Sequence, residues 1–199
     1  ASLPGMPAGR SGWWTYTAGL PSVGSPVDSW AASAGMLGAL ASSGTSRPTM
    51  SSAGPHADGI DDFLEIAGIS PSLPLNDWAA WVVSTADQDL QGWLMSGDGI
   101  LNIRRLSAFD QVRVTVNDTT ANDASDINSA AVTKAVSILV TRDSASGTKA
   151  YADGVEFLTD ADITNNAAMA SLTLFMNAFL GWIGGTVHDV GFHDGVLTG

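Results

Sequence analysis

The densest group of hard-oxygen side chains is Asp118, Asp123 and Asp126, with Asn117 and Asn122 among them. Calcium takes six to eight such oxygens. The spacing is not that of an EF-hand loop, so the group reads first as a solvated Asx-rich turn and second as a calcium site. Calcium is the one cofactor the sequence leaves open. Glycoside hydrolysis requires two carboxyl groups flanking a bond at about 5 to 10 Å. The chain has only two glutamates, Glu65 and Glu156, 91 positions apart, which leaves an unrelated Asp pair as the remaining source of that chemistry. His188 and His193 are five positions apart, so on a regular strand their rings point to opposite faces unless a bulge intervenes. They and His56 read as half-buried strand residues rather than metal ligands. Cysteine is absent, which removes thiolate ligands, a thiol nucleophile and disulfides, and no Gly-x-Ser-x-Gly elbow is present.

Seven tryptophans could stack on sugar rings or fill a core. Trp78 and Trp81 flank alanines in an apolar run, a pattern that places one or both in the core. Trp13, Trp14, Trp93 and Trp182 stand beside glycine or at strand starts, where exposure competes with burial in a core or between subunits.

The elements that would position these residues are strands. Val112, Val114 and Val116 alternate with Gln111, Arg113 and Thr115, and Val136, Ile138 and Val140 repeat the alternation, as half-buried strands do. Further strands are expected over 13–17, 60–66, 78–84, 100–106, 148–152, 172–176 and 186–193. Turn dipeptides such as Asp58-Gly59, Asp153-Gly154 and Asp194-Gly195 separate most of them. Such spacing predicts an all-β, antiparallel two-sheet sandwich with little helix; only 160–171 has room for a helical turn. Val112, Val114, Val116, Val136, Ile138, Val140, Val190 and Phe192 are expected in its core.

At 199 residues the chain suits one domain. Its formal net charge of -12 would repel nucleic acid, and no apolar run is long enough to span a membrane as a helix. No export signal is visible. All eight prolines lie between Pro4 and Pro74, which sends the regular ladders downstream. Residues 1–12 are rich in Gly and Pro and carry Arg10 alone as a charge, so they read as an extended arm in front of a domain over 13–199. Leu3, Met6 and the adjoining Trp13 are the expected apolar anchors for docking this arm onto a partner.

Three segments together resemble the laminin-G-like, concanavalin A-like jelly-roll family. Asp58-Gly59-Ile60-Asp61-Asp62-Phe63-Leu64-Glu65-Ile66 is similar to its early strand, Lys149-Ala150-Tyr151-Ala152-Asp153-Gly154-Val155 to its Tyr-x-Asp-Gly hairpin, and Gly185 to Thr198 to its closing strand. Val27 to Gly35 and Arg47-Pro48-Thr49 extend the likeness upstream. The chain departs from the family at Ala131 to Lys134, where a tryptophan is usual, and at Leu174 to Ala178, which replaces a Gly-rich segment. Both departures argue against the family's standard calcium or sugar site at the sheet rim.

Glucanases on this fold carry an E-x-D-x-x-E strand, and neither glutamate here continues into one, so the sequence predicts no enzymatic activity. The resemblance implies a lectin-like module. A cysteine-free, acidic, nearly free-standing module of this family is most similar to those on bacteriophage particles. The expected function is therefore a virion surface protein, a head decoration or a tail or spike component, assembled in the host cytoplasm and assisting adhesion to host glycans. Its expected partners are other virion proteins and further copies of itself. The alternatives are a carbohydrate-binding domain of a larger secreted bacterial protein and a glycanase.

Overall fold

A computed structural model describes residues 11–15, 21–35, 37–42, 44–69, 73–74, 77–87, 92–98, 100–106, 111–116, 135–161, 168–177, 181–182 and 184–195. Two antiparallel sheets, of nine and seven strands, pack as a sandwich, and no helix occurs among the described residues. The backbone order of the first sheet is Val155–Asp160, Gly147–Ala152, Ala135–Asp143, Trp78–Ala86, Gly184–Asp194, Ser11–Thr15 and Ala34–Gly35. The Gly54–Asp58 strand pairs with the start of Gly184–Asp194 and with Thr49–Ser51. The second sheet runs Gln111–Val116, Leu101–Leu106, Gly92–Gly97, Leu172–Leu174, Leu64–Ile66, Leu40–Ala41 and Ser29–Trp30.

Alternation builds the core. Val82, Val136, Ile138, Val140, Val190 and Phe192 turn inward from the first sheet to meet Leu64, Met95, Ile103, Val112, Val114 and Leu174 from the second, all buried. Trp78 stacks on Phe192, with ring centroids 6.0 Å apart and planes 19° apart. Of the eight expected core residues only Val116 differs: it ends its strand and is half-buried. The longest described strands, of nine and eleven residues, lie downstream of the prolines.

The strand expected over 60–66 is shorter, running Leu64–Ile66. Carboxylates capture the backbone before it: Asp58 Oδ1 accepts from Ile60 N–H at 2.8 Å and Asp62 Oδ2 from Asp58 N–H at 2.9 Å, while Gly59 takes φ +80°. Side chains that bond nearby N–H groups divert the chain from a ladder into a turn. At the Tyr151 hairpin the expectation holds, because Asp153 and Gly154 both take positive φ, 49° and 82°, as a two-residue hairpin turn demands.

Of the arm expected over 1–12, residues 1–10 lie outside the described residues. Ser11 and Gly12 are paired with His193 and Phe192. Most of the segment with room for a helical turn, 162–167, also lies outside them, and Ala168–Met169 beside it is a strand.

Candidate functional site

On the outer face of the nine-stranded sheet one register row crosses five strands. Trp13 opposes Gly191, Gly191 opposes Trp81, Trp81 opposes Leu139 and Leu139 opposes Tyr151. Their chain neighbours Trp14, Val82, Ile138 and Val190 are buried, so alternation places this row outside, where the four side chains are half-buried. At about 4.8 Å between strands the row spans about 19 Å. The indoles of Trp13 and Trp81 meet edge to face, 6.2 Å apart at 76°. Gly191 makes room between them, since a Cβ there would lie 1.9 Å from the Trp81 ring.

The adjacent row holds Asp189 between Thr15 and Val83. Trp13 Nε1 donates to both of its carboxylate oxygens at 2.7 Å, and Trp81 Nε1 donates to Oδ1 at 2.8 Å. Burial raises the Asp189 pKa above the ordinary carboxylate range, outweighing the two indole hydrogen bonds that lower it. At the far end of the face Lys149 Nζ donates to Glu156 Oε2 at 3.2 Å and Thr159 Oγ1 to Glu156 Oε1 at 2.6 Å. The Thr159 hydrogen bond first, and Lys149 after it, lower the Glu156 pKa. Chemically, the centre of the face offers aromatic surface beside a fixed carboxylate with acceptor capacity left on Oδ2. That combination stacks on an apolar ring face while accepting hydrogen bonds from hydroxyl groups.

The strand supplying Asp189 is irregular. Val187 pairs with Ser84 and Asp189 with Val83, so His188 is the extra residue of a bulge. Its Nδ1 donates to the Ala53 carbonyl at 2.9 Å and its Nε2 lies 2.7 Å from Thr85 Oγ1. The bulge that would spoil simple alternation between His188 and His193 is therefore present.

The other sequence candidates scatter. Asp118, Asp123, Asp126, Leu3 and Met6 lie outside the described residues. Trp13 is turned toward its own domain, against Trp81 and Asp189. Trp14, for which burial is the favoured reading, is buried in the core, because consecutive strand residues take opposite faces and its neighbour Trp13 points outward. Of Trp78 and Trp81, one or both expected in the core, Trp78 is buried and Trp81 is the outward member. Glu65 lies on the second sheet, in an open groove of about 480 Å³ lined also by Ala41, Ser42, Phe63 and Ala67. Glu65 and Glu156 belong to different sheets and do not flank one bond. Asp58, Asp61 and Asp62 gather their carboxylates within 4.8 Å, but these organise the turn described above, with Asp61 Oδ2 accepting from Ser46 Oγ at 3.0 Å. Sequence reading passed over Asp189 and Gly191. The signal available was their alternation with Val190 and Phe192, which marks them as outward, and a glycine in mid-strand, which marks a close approach.

No family model matches the sequence, and no curated protein matches it either. Solved structures share the fold. The chain superposes on Trypanosoma rangeli sialidase, in a complex with 2,3-difluorosialic acid, with a TM-score of 0.61 at 14% identity, covering 96% of this chain and 32% of that one. It thus spans about a third of that sialidase. Domain 4 of AbnA, a GH43 extracellular arabinanase from Geobacillus stearothermophilus in complex with arabinotriose, gives a TM-score of 0.56 at 16% identity and 79% coverage of each chain. The ligand-binding domain of Botulinum neurotoxin serotype D, in complex with N-acetylneuraminic acid, gives 0.51 at 7% identity, covering 80% of this chain and 47% of that one. These likenesses establish the sandwich fold. They also correct the expectation of a chain without enzymatic activity: the fold recurs in a sialidase and in a domain of an arabinanase, so the missing E-x-D-x-x-E strand does not separate this chain from glycan-cleaving proteins.

Proposed function

We propose that this chain is a carbohydrate-recognition domain whose binding face is the Trp13, Trp81 and Asp189 surface of the nine-stranded sheet. The observation that carries the reading is the convergence of two half-buried indoles from different strands on one carboxylate, across a glycine that leaves room for them. Support comes from two sandwiches of the same fold that hold sugars, an arabinanase domain with arabinotriose and a neurotoxin domain with N-acetylneuraminic acid. A glycan array followed by titration calorimetry tests it. Trp81→Ala should lower affinity for any sugar found by at least about tenfold, the loss expected when a central aromatic contact is removed. Unchanged affinity would remove the site from this face. Following reducing ends in the same samples tests for hydrolysis.

For the setting, the acidic, cysteine-free composition and the nearly uncharged, proline-bearing start of the chain support the surface of a phage particle, where the domain would meet other virion proteins and further copies of itself. The mutual 79% coverage with the arabinanase domain favours a second setting, a recognition module within a larger secreted glycan-active protein. Co-purification with particles separates the two.

A further inference from the structure

We infer that the Trp13, Trp81 and Asp189 face is built for uncharged, hydroxyl-rich sugars and disfavours carboxylated ones; this rests on the reading of the face as a glycan site. Both indole N–H groups, the strong donors at its centre, are already directed at Asp189, Trp13 at 2.7 Å to each oxygen and Trp81 at 2.8 Å to Oδ1. An indole has one donor and no acceptor, and an ionised carboxylate accepts only. The centre therefore presents ring surface and acceptor oxygen, and a ligand must bring the donors. Sugar hydroxyls do so, and Oδ2, which receives only the shared Trp13 N–H among the described contacts, is placed to accept one.

A ligand carboxylate meets the opposite situation. It needs donors that the centre has committed elsewhere, and its charge would stand beside that of Asp189 in a partly desolvated place, where like charges repel more strongly than in water. The other charged groups of the face do not reverse this. Lys149 is held by Glu156 at 3.2 Å, and Asp153 adds a further negative charge. His188 is engaged with the Ala53 carbonyl and Thr85, and His56 lies 3.1 Å from Asp87. His193 is buried. Among the described residues no arginine occupies this face: Arg47 pairs with Asp28, Arg104, Arg105 and Arg113 belong to the other sheet, and Arg142 is buried beside Thr148. A net charge of -12 over the chain acts in the same direction at longer range.

The test compares pairs of sugars differing in one carboxylate, galactose and galacturonic acid oligomers, and N-acetylneuraminic acid and its methyl ester. Affinity is read by calorimetry and by the indole N–H signals of Trp13 and Trp81 in NMR. The wild-type protein should bind the neutral member of a pair at least about tenfold more tightly. Asp189→Asn keeps an oxygen able to accept from both indoles while removing the charge, and should bring the ratio close to one. Trp81→Ala should weaken both members together. Thermal unfolding of each variant confirms that it is folded. Equal or tighter binding of the carboxylated member, lost in Trp81→Ala, would overturn the selectivity and leave the glycan site standing. A ratio unchanged in Asp189→Asn would also overturn it. Failure of every sugar to perturb either indole signal would overturn the site itself.

Discussion

At Asp189 two opposing influences act on one carboxyl group, and burial prevails over the indole hydrogen bonds in setting the direction of its pKa. An acid whose folded pKa lies above its unfolded value binds its proton more tightly when folded, so its contribution to stability falls as pH rises from the ordinary carboxylate range through the raised pKa. Asp189→Asn removes that penalty without removing the acceptor for Trp13 and Trp81. Its melting temperature at pH 7 should therefore equal or exceed that of the wild type, with the advantage shrinking as pH is lowered through the acid range. A variant that is least stable relative to wild type at pH 7 would show that the ionised charge itself holds the indoles. Little of this residue was legible beforehand. Sequence marks Asp189 as outward on a strand, but nothing local shows that Trp13, 176 positions away, donates to it. For Trp13 and Trp14, likewise, composition permits either face, and only the register with Gly191 and Val190 assigns one outside and the other inside.

Two glycines, one in a turn and one in a strand, distinguish conformational from steric demands. Gly154 closes the Tyr151 hairpin at φ +82° with open space where a Cβ would stand. Gly154→Ala should cost about 1 kcal/mol, the penalty for a left-handed conformation, and leave the Trp13 and Trp81 indole signals where they are. Gly191 carries no positive φ, yet its Cβ would overlap the Trp81 ring. Gly191→Ala should displace that ring, shift both indole signals and destabilise by about 1 to 3 kcal/mol in urea unfolding, as overpacking does. If the alanine variant keeps both signals, Trp81 is not confined as described. The Tyr151 hairpin was readable because its two-residue Asp153-Gly154 turn states its chemistry locally. The His188 bulge was not, since the register of Gly184–Asp194 depends on strands from three other parts of the chain.

The sandwich as a whole was legible because valine alternation recurs in widely separated strands and the chain has only two glutamates and two lysines among its long helix-favouring charged residues. Activity was not, because a sandwich can lack one glucanase motif and still share its fold with glycan-cleaving proteins. With a net charge of -12 the folded molecule repels itself, and salt screens such repulsion over about 8 to 10 Å at physiological strength. Its melting temperature should thus rise between low ionic strength and about 0.15 M sodium chloride. A fall would mean that specific ion pairs outweigh the net charge. The indole-to-carboxylate contact also bears on how the protein is made. It joins the first described strand to the last and receives Trp81 from between them. On a ribosome, Trp13 emerges long before the strand that must lie beside it, and native pairings so far apart in sequence form slowly. The Trp13, Trp81 and Asp189 face therefore comes into being only when synthesis has passed Asp189, and a prematurely ended chain would display tryptophans without the surface that orders them.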